Sequence, residues 1–184
     1  QLMLAAVLAY AMTGPLQILL PKLAREVLHL SELQRGAYLG LMALSLITGG
    51  ISALVLARRV HHGLFVFGGI VATYLVFASL SQITSVALSA ATLACVGIAG
   101  GMVISLVVSG IQAQAPAALR GRVMSMYAIT SQVVPALSGV AAGALVNAVG
   151  VTSAIQLSGL VLAGIVALAA WRMGTLRRYS GQSS

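Results

Sequence analysis

Long unbroken runs of apolar residues, separated by short polar connections, make up nearly the whole chain. The runs lack the alternation of apolar and polar positions that marks membrane barrel strands, which are about ten residues long. A bilayer core of about 30 Å takes about 20 helical residues to cross. By that measure the pattern predicts six transmembrane helices: Leu2–Leu20, Gly36–Ala57, Gly63–Leu80, Ser85–Gln112, Val123–Val149 and Thr152–Trp171. In lipid every backbone polar group must find an internal partner, which a helix supplies by itself. The fourth and fifth runs exceed the required length, which predicts tilt or protrusion from the bilayer.

Composition leads to the same solvent. Of 184 residues, 60% are hydrophobic and only 7% charged, with a mean hydropathy of +1.06. A soluble domain carries roughly 25% charged residues and needs polar cover for its surface. The net charge of +8 comes from ten Lys and Arg against two acids, Glu26 and Glu32. These cations sit between apolar runs and form no aromatic-interleaved basic patch, so nucleic acid is excluded as a partner and the lipid bilayer takes its place.

The cations also orient the chain. Arg58, Arg59, Arg120, Arg122, Arg172, Arg177 and Arg178 fall on one side, whereas Lys22, Arg25, Arg35 and both acids fall on the other. The positive-inside rule puts the 58–62 and 115–122 connections and the C-terminus in the cytoplasm. Six spans then bring the N-terminus to the same side. Residues 1–173 are expected to form one transmembrane domain and 174–184 a basic cytoplasmic tail. The chain starts at Gln1 directly in an apolar run, with no signal-peptide pattern, and is expected to be a piece of something longer.

Candidate chemistry is sparse. A glutamine in a span needs partners for both its carbonyl and its amide, so Gln17 and Gln132 are candidates to face a substrate cavity, together with Tyr10 and Thr130. In the fifth span Ser138 and Ala142, and Gly139 and Gly143, are small residues four apart, a stripe on which another helix can approach closely. Pro135 removes a backbone hydrogen bond just before the stripe and permits a bend. The fourth span carries a similar cluster, Gly97, Gly100 and Gly101. No acid lies within a span, so a membrane-embedded carboxylate for ion coupling is missing. Cys95, the only cysteine, is expected to be a small buried core residue. His61 and His62 diverge on a helix and lack a third ligand, so no metal site is predicted. Ser109-Gly110 has no histidine base within reach, and no GxxxxGK[ST] loop occurs. Neither an enzyme nor a cofactor is expected.

The stretch Gln112–Gly150, with Pro116, Leu119 and the run Arg120-Gly121-Arg122-Val123-Met124-Ser125, resembles the connection into the eleventh helix of bacterial exporters of the major facilitator superfamily. The run from Gly14 to Leu28, GPLQILLPKLAREVL, is similar to the seventh helix of the same branch. The resemblance implies an all-α membrane fold, with the six helices as a 3+3 inverted repeat forming the C-terminal half of the transporter. It implies export of small amphipathic molecules by alternating access in a bacterial inner membrane, with an N-terminal half as partner and a small molecule as substrate. Arg120, Gly121 and Arg122, with Arg58 and Arg59, would gate or anchor the cytoplasmic face. One departure concerns 57–63, which reads ARRVHHG and lacks the acid of the family's loop motif. A transport-inactive six-helix protein that regulates or scaffolds another membrane protein is the alternative.

Overall fold

The computed structural model describes residues 2–56, 62–116 and 118–172. All regular structure among them is helical. The elements are α1 (Leu2–Tyr10), α2 (Thr13–Lys22) with a π-helical turn at Leu23–Val27, α3 (Glu32–Leu56), α4 (His62–Ser79) with a 3₁₀ turn at Leu80–Gln82, α5 (Val86–Gln114), α6 (Arg120–Val149) and α7 (Val151–Arg172). Five segments are long and apolar enough to cross a membrane: α1–α2 with its π turn, α3, α5, α6 and α7. Phe67–Gln82 is a shorter apolar helix.

The first span differs from the single helix expected over Leu2–Leu20. It runs on to Val27 and is interrupted at Ala11–Met12. Gly14-Pro15 accounts for the interruption, because proline has no N–H to donate and its ring crowds the preceding turn. Pro21 deprives the Gln17 carbonyl of its donor in the same way, and the helix widens into the π turn just beyond, where the Leu28 N–H donates to the Leu23 carbonyl at 3.0 Å. Arg25 and Glu26 therefore sit in this helical extension rather than in a connection. The turn ends at His29, which takes a left-handed φ of 49°, a conformation histidine visits more readily than most side chains. A reciprocal cap then starts α3. The Ser31 N–H donates to Gln34 Oε1 at 2.9 Å and the Gln34 N–H to Ser31 Oγ at 3.4 Å, satisfying two donors that a helix start leaves open.

A second difference concerns Arg120-Gly121-Arg122. These residues form the first turn of α6 rather than a loop before it, and all three are exposed. At the far end Gly150, at φ 81°, lets the chain reverse within one residue into α7.

Glycines set the helix pairings. A Cβ on Gly97 would lie 2.6 Å from Ser45 Cβ, and one on Gly101 2.9 Å from the Leu46 carbonyl carbon. Tyr38 reaches Ser89 on the same pair of helices, with 2.7 Å between hydroxyls. These levels ascend together, so α3 and α5 run parallel. Gly69 faces Val103 while Gly100 faces Thr73, so α4 runs antiparallel to α5. Gly159 of α7 seats against Tyr74 and Ala78 of α4. The interior between these helices is filled by Leu19, Leu20, Ile70, Phe77, Leu93, Val96 and Ile155. The outer faces keep Leu137, Val140, Leu160 and Ile165 exposed. In lipid this costs nothing, since lipid tails are as apolar as leucine. Cys95 is also exposed, contrary to expectation. It lies off the α5 stripe of Leu93, Val96 and Gly97 that meets the bundle.

Candidate functional site

Most hydroxyls in the spans are spent within their own helices. Ser45, Thr48, Ser52, Thr73 and Thr130 each donate to the carbonyl four residues back, while Ser109, Ser131 and Ser138 donate to the carbonyl three back. Such bonds let a hydroxyl sit in lipid without a partner helix. Thr130, one of the four cavity candidates, is bonded to the Met126 carbonyl at 2.9 Å.

The polar groups that do cross between helices are tyrosines. Tyr10 at the end of α1 and Tyr127 of α6 share a hydroxyl–hydroxyl hydrogen bond, with ring centroids 5.8 Å apart in an edge-on arrangement at 63°. One turn further along, Gly14 of α2 seats against α6: a Cβ there would collide with the Pro135 carbonyl oxygen, Ser138 Oγ and the Gly139 amide. Both contacts advance in the same direction, so the first span and α6 run parallel. In this seam Pro135, Gly139 and Ala142 are buried. Gly143 has open space where a Cβ would be, and lies off the tight contact.

A cavity of about 100 Å³ adjoins the interrupted first span. Its wall is overwhelmingly apolar, with Leu16, Met42, Leu46, Ile70, Val96 and Val103 from α2, α3, α4 and α5, and its polar members are Tyr10, Thr13, Thr73 and Tyr74. Tyr10 is the cavity candidate from the sequence that lines it. Gln17 and Gln132 do not. They lie on exposed positions of α2 and α6, outside the interior between the helices. Arg120 and Arg122 are likewise exposed, at the start of α6, and Arg58 and Arg59 lie outside the described residues. No group of three or more potential metal ligands occurs among the described residues.

Tyr74 is a polar residue of a span that the sequence reading left out of the cavity candidates. It is almost wholly buried, and its hydroxyl donates to the Leu8 carbonyl in the interrupted span. Tyrosine after threonine in an apolar run carries no motif. The Gly14-Pro15 pair, which breaks the helix here and so leaves carbonyls of the preceding turn in need of outside donors, was the available signal. Residues 1–139 match the family model described as Major Facilitator Superfamily. No curated protein and no solved structure matches the chain.

Proposed function

Since the chain belongs to the major facilitator superfamily, a family of membrane transporters, we propose that it is the C-terminal half of a secondary transporter that exports small amphipathic molecules by alternating access. Its five spanning-length apolar helices and its family make it an integral, multi-pass membrane protein. In the proposed arrangement α4 is the sixth span, and the six form two inverted groups of three. The helix pairings support this reading. Exchanging the first span with α5, and α3 with α6, turns the parallel α3–α5 pair into the parallel pair of α6 with the first span. The same exchange returns the α4–α7 pair to itself.

The observation that carries the proposal is the placement of Gln17 and Gln132. Both are exposed on the first span and on α6, whereas neighbouring hydroxyls are bonded within their own helices. A glutamine amide has no such local solution and is costly against lipid, so these two faces are assigned to a wetted pathway between this half and an N-terminal half. Arg120 and Arg122 stand at its cytoplasmic mouth, in a bacterial inner membrane with the C-terminus inside. The test is efflux of an amphipathic cationic dye from vesicles containing the full-length protein. Gln17→Ala and Gln132→Ala each slow efflux while leaving protein levels unchanged; normal efflux in both variants removes the pathway assignment.

A second reading rests on the acids. Glu26 and Glu32 are the only ones, and both lie in the π turn and at the start of α3, leaving the interiors of the spans without a carboxylate for ion coupling. That favours a transport-inactive six-helix regulator. Dye efflux by the full-length protein above that of empty vesicles decides against it.

A further inference from the structure

In a continuous helix the Leu8 carbonyl would accept from the Met12 N–H. That rung is missing: the regular pattern stops with the Ala11 N–H on the Val7 carbonyl at 2.9 Å and resumes with the Leu16 N–H on the Met12 carbonyl at 3.0 Å. The Leu8 carbonyl is instead taken by the Tyr74 hydroxyl from α4, which leaves the Met12 N–H without its helical acceptor. One acceptor thus has two competing donors, one from its own helix and one from a neighbour. We propose that the interruption in the first span is a two-state hinge, in which Tyr74 holds the helix unwound by occupying the carbonyl that Met12 would need to rewind it.

Three features make the second state accessible. Pro15 removes the donor for the Ala11 carbonyl in either state, so the hinge cannot become a perfectly regular helix; of the Leu8, Ala9 and Tyr10 rungs that can re-form, Leu8 is the one that Tyr74 contests. Tyr74 itself borders the 100 Å³ cavity, which gives its ring somewhere to go when displaced. Tyr10 and Thr13 line the same cavity, so hydroxyl-bearing side chains stand in the region a released Tyr74 would enter. Rewinding would also carry Tyr10, and with it the Tyr127 contact to α6. Tyr74 is in this sense a positioning residue, acting through the relation of α1 to α2. The inference holds whether or not the protein transports, because it concerns which donor the Leu8 carbonyl takes.

Amide hydrogen exchange of the full-length protein in lipid nanodiscs, followed over the peptide containing Met12, tests it. Tyr74→Phe keeps the ring and removes the competing donor. Exchange at Met12 is then expected to slow about 2- to 10-fold, the protection of one net backbone hydrogen bond. A tyrosine that merely fills space and caps a defect predicts the opposite sign, since losing it leaves both Leu8 and Met12 unpartnered; unchanged or faster exchange overturns the proposal. Gly100→Ala is the second variant. Its Cβ would stand 3.8 Å from Leu46 Cδ2 and 4.0 Å from Thr73 Cγ2, fitting without a clash while narrowing the cavity. With less room for a displaced Tyr74 ring, exchange at Met12 should be faster than in the unaltered protein. No change there contradicts the hinge even if Tyr74→Phe fails to fold.

Discussion

Adjacent glycines on α5 offer a controlled perturbation of the packing. Gly101 faces the backbone of α3: a Cβ there would stand 2.9 Å from the Leu46 carbonyl carbon and 3.0 Å from its Cα. Both are backbone atoms, so no rotamer change can relieve the contact. The Leu46 carbonyl oxygen would lie nearer still, so restoring an ordinary 3.4 Å separation parts the two helices by about 1 Å or more, a gap that forfeits about half of the dispersion energy of the atom pairs it opens. Overpacking of this kind costs about 1–3 kcal/mol. The higher helix propensity of alanine returns about 0.5–1 kcal/mol of it. Gly100, one residue away, has its nearest neighbours at 3.8 and 4.0 Å, so Gly100→Ala keeps the propensity gain without the clash. Gly101→Ala is therefore expected to fall below Gly100→Ala by about 1–3 kcal/mol. Reversible unfolding in mixed micelles, followed by circular dichroism, measures the difference. Equal stabilities for the two variants would refute the claim that backbone contact at residue 101 sets the approach of α3 to α5.

The tyrosine contacts yield further expectations. Tyr10→Phe and Tyr127→Phe should show a coupling of about 0.5–1.5 kcal/mol in a double-mutant cycle, and additive effects would mean that the hydroxyls do not bond. Tyr38→Phe leaves the buried Ser89 hydroxyl without its 2.7 Å partner, which should cost about 1–3 kcal/mol in the same unfolding assay; Ser89→Ala added to it should recover part of that loss. On the seam with α6, Gly14→Ala should destabilise the protein and Gly143→Ala should not, because a Cβ meets backbone at the first position and open space at the second. Similar melting temperatures for these two would show that the seam is looser than described.

The positions of the helices were legible because lipid imposes a length and a polarity that the chain must meet residue by residue. The observed bounds of α5 and α7 differ from the apolar runs by one or two residues. The first span was harder to read. Hydropathy registers Gly14, Pro15 and Pro21 only as mildly polar points in an apolar run, whereas their effect is on hydrogen-bond connectivity, which a hydropathy average does not contain. The Arg-Gly-Arg run looked like a turn because charge and glycine usually interrupt spans. A helix can begin there because its first N–H groups need no helical partner and the arginines remain exposed. Candidate site residues could be picked out only as polar groups with no local solution. The pattern marked Tyr10 and the two glutamines, but it could not tell that Thr130 bonds back to Met126, nor that Tyr74 reaches across to a carbonyl 66 residues away in the chain.

The central claim is that Gln17 and Gln132 border a water-accessible pathway, and thiol accessibility in the full-length protein tests it most directly. In a background with Cys95 and every cysteine of the N-terminal half replaced by serine, single cysteines replace Gln17, Gln132 and Leu160, the last an exposed residue of α7 assigned to lipid. Membrane vesicles are treated with a small, water-soluble, charged thiol reagent. The account predicts that the cysteines at 17 and 132 react and the one at 160 stays inert. If all three stay inert, or Leu160→Cys reacts as readily as the other two, the pathway is not where the account puts it.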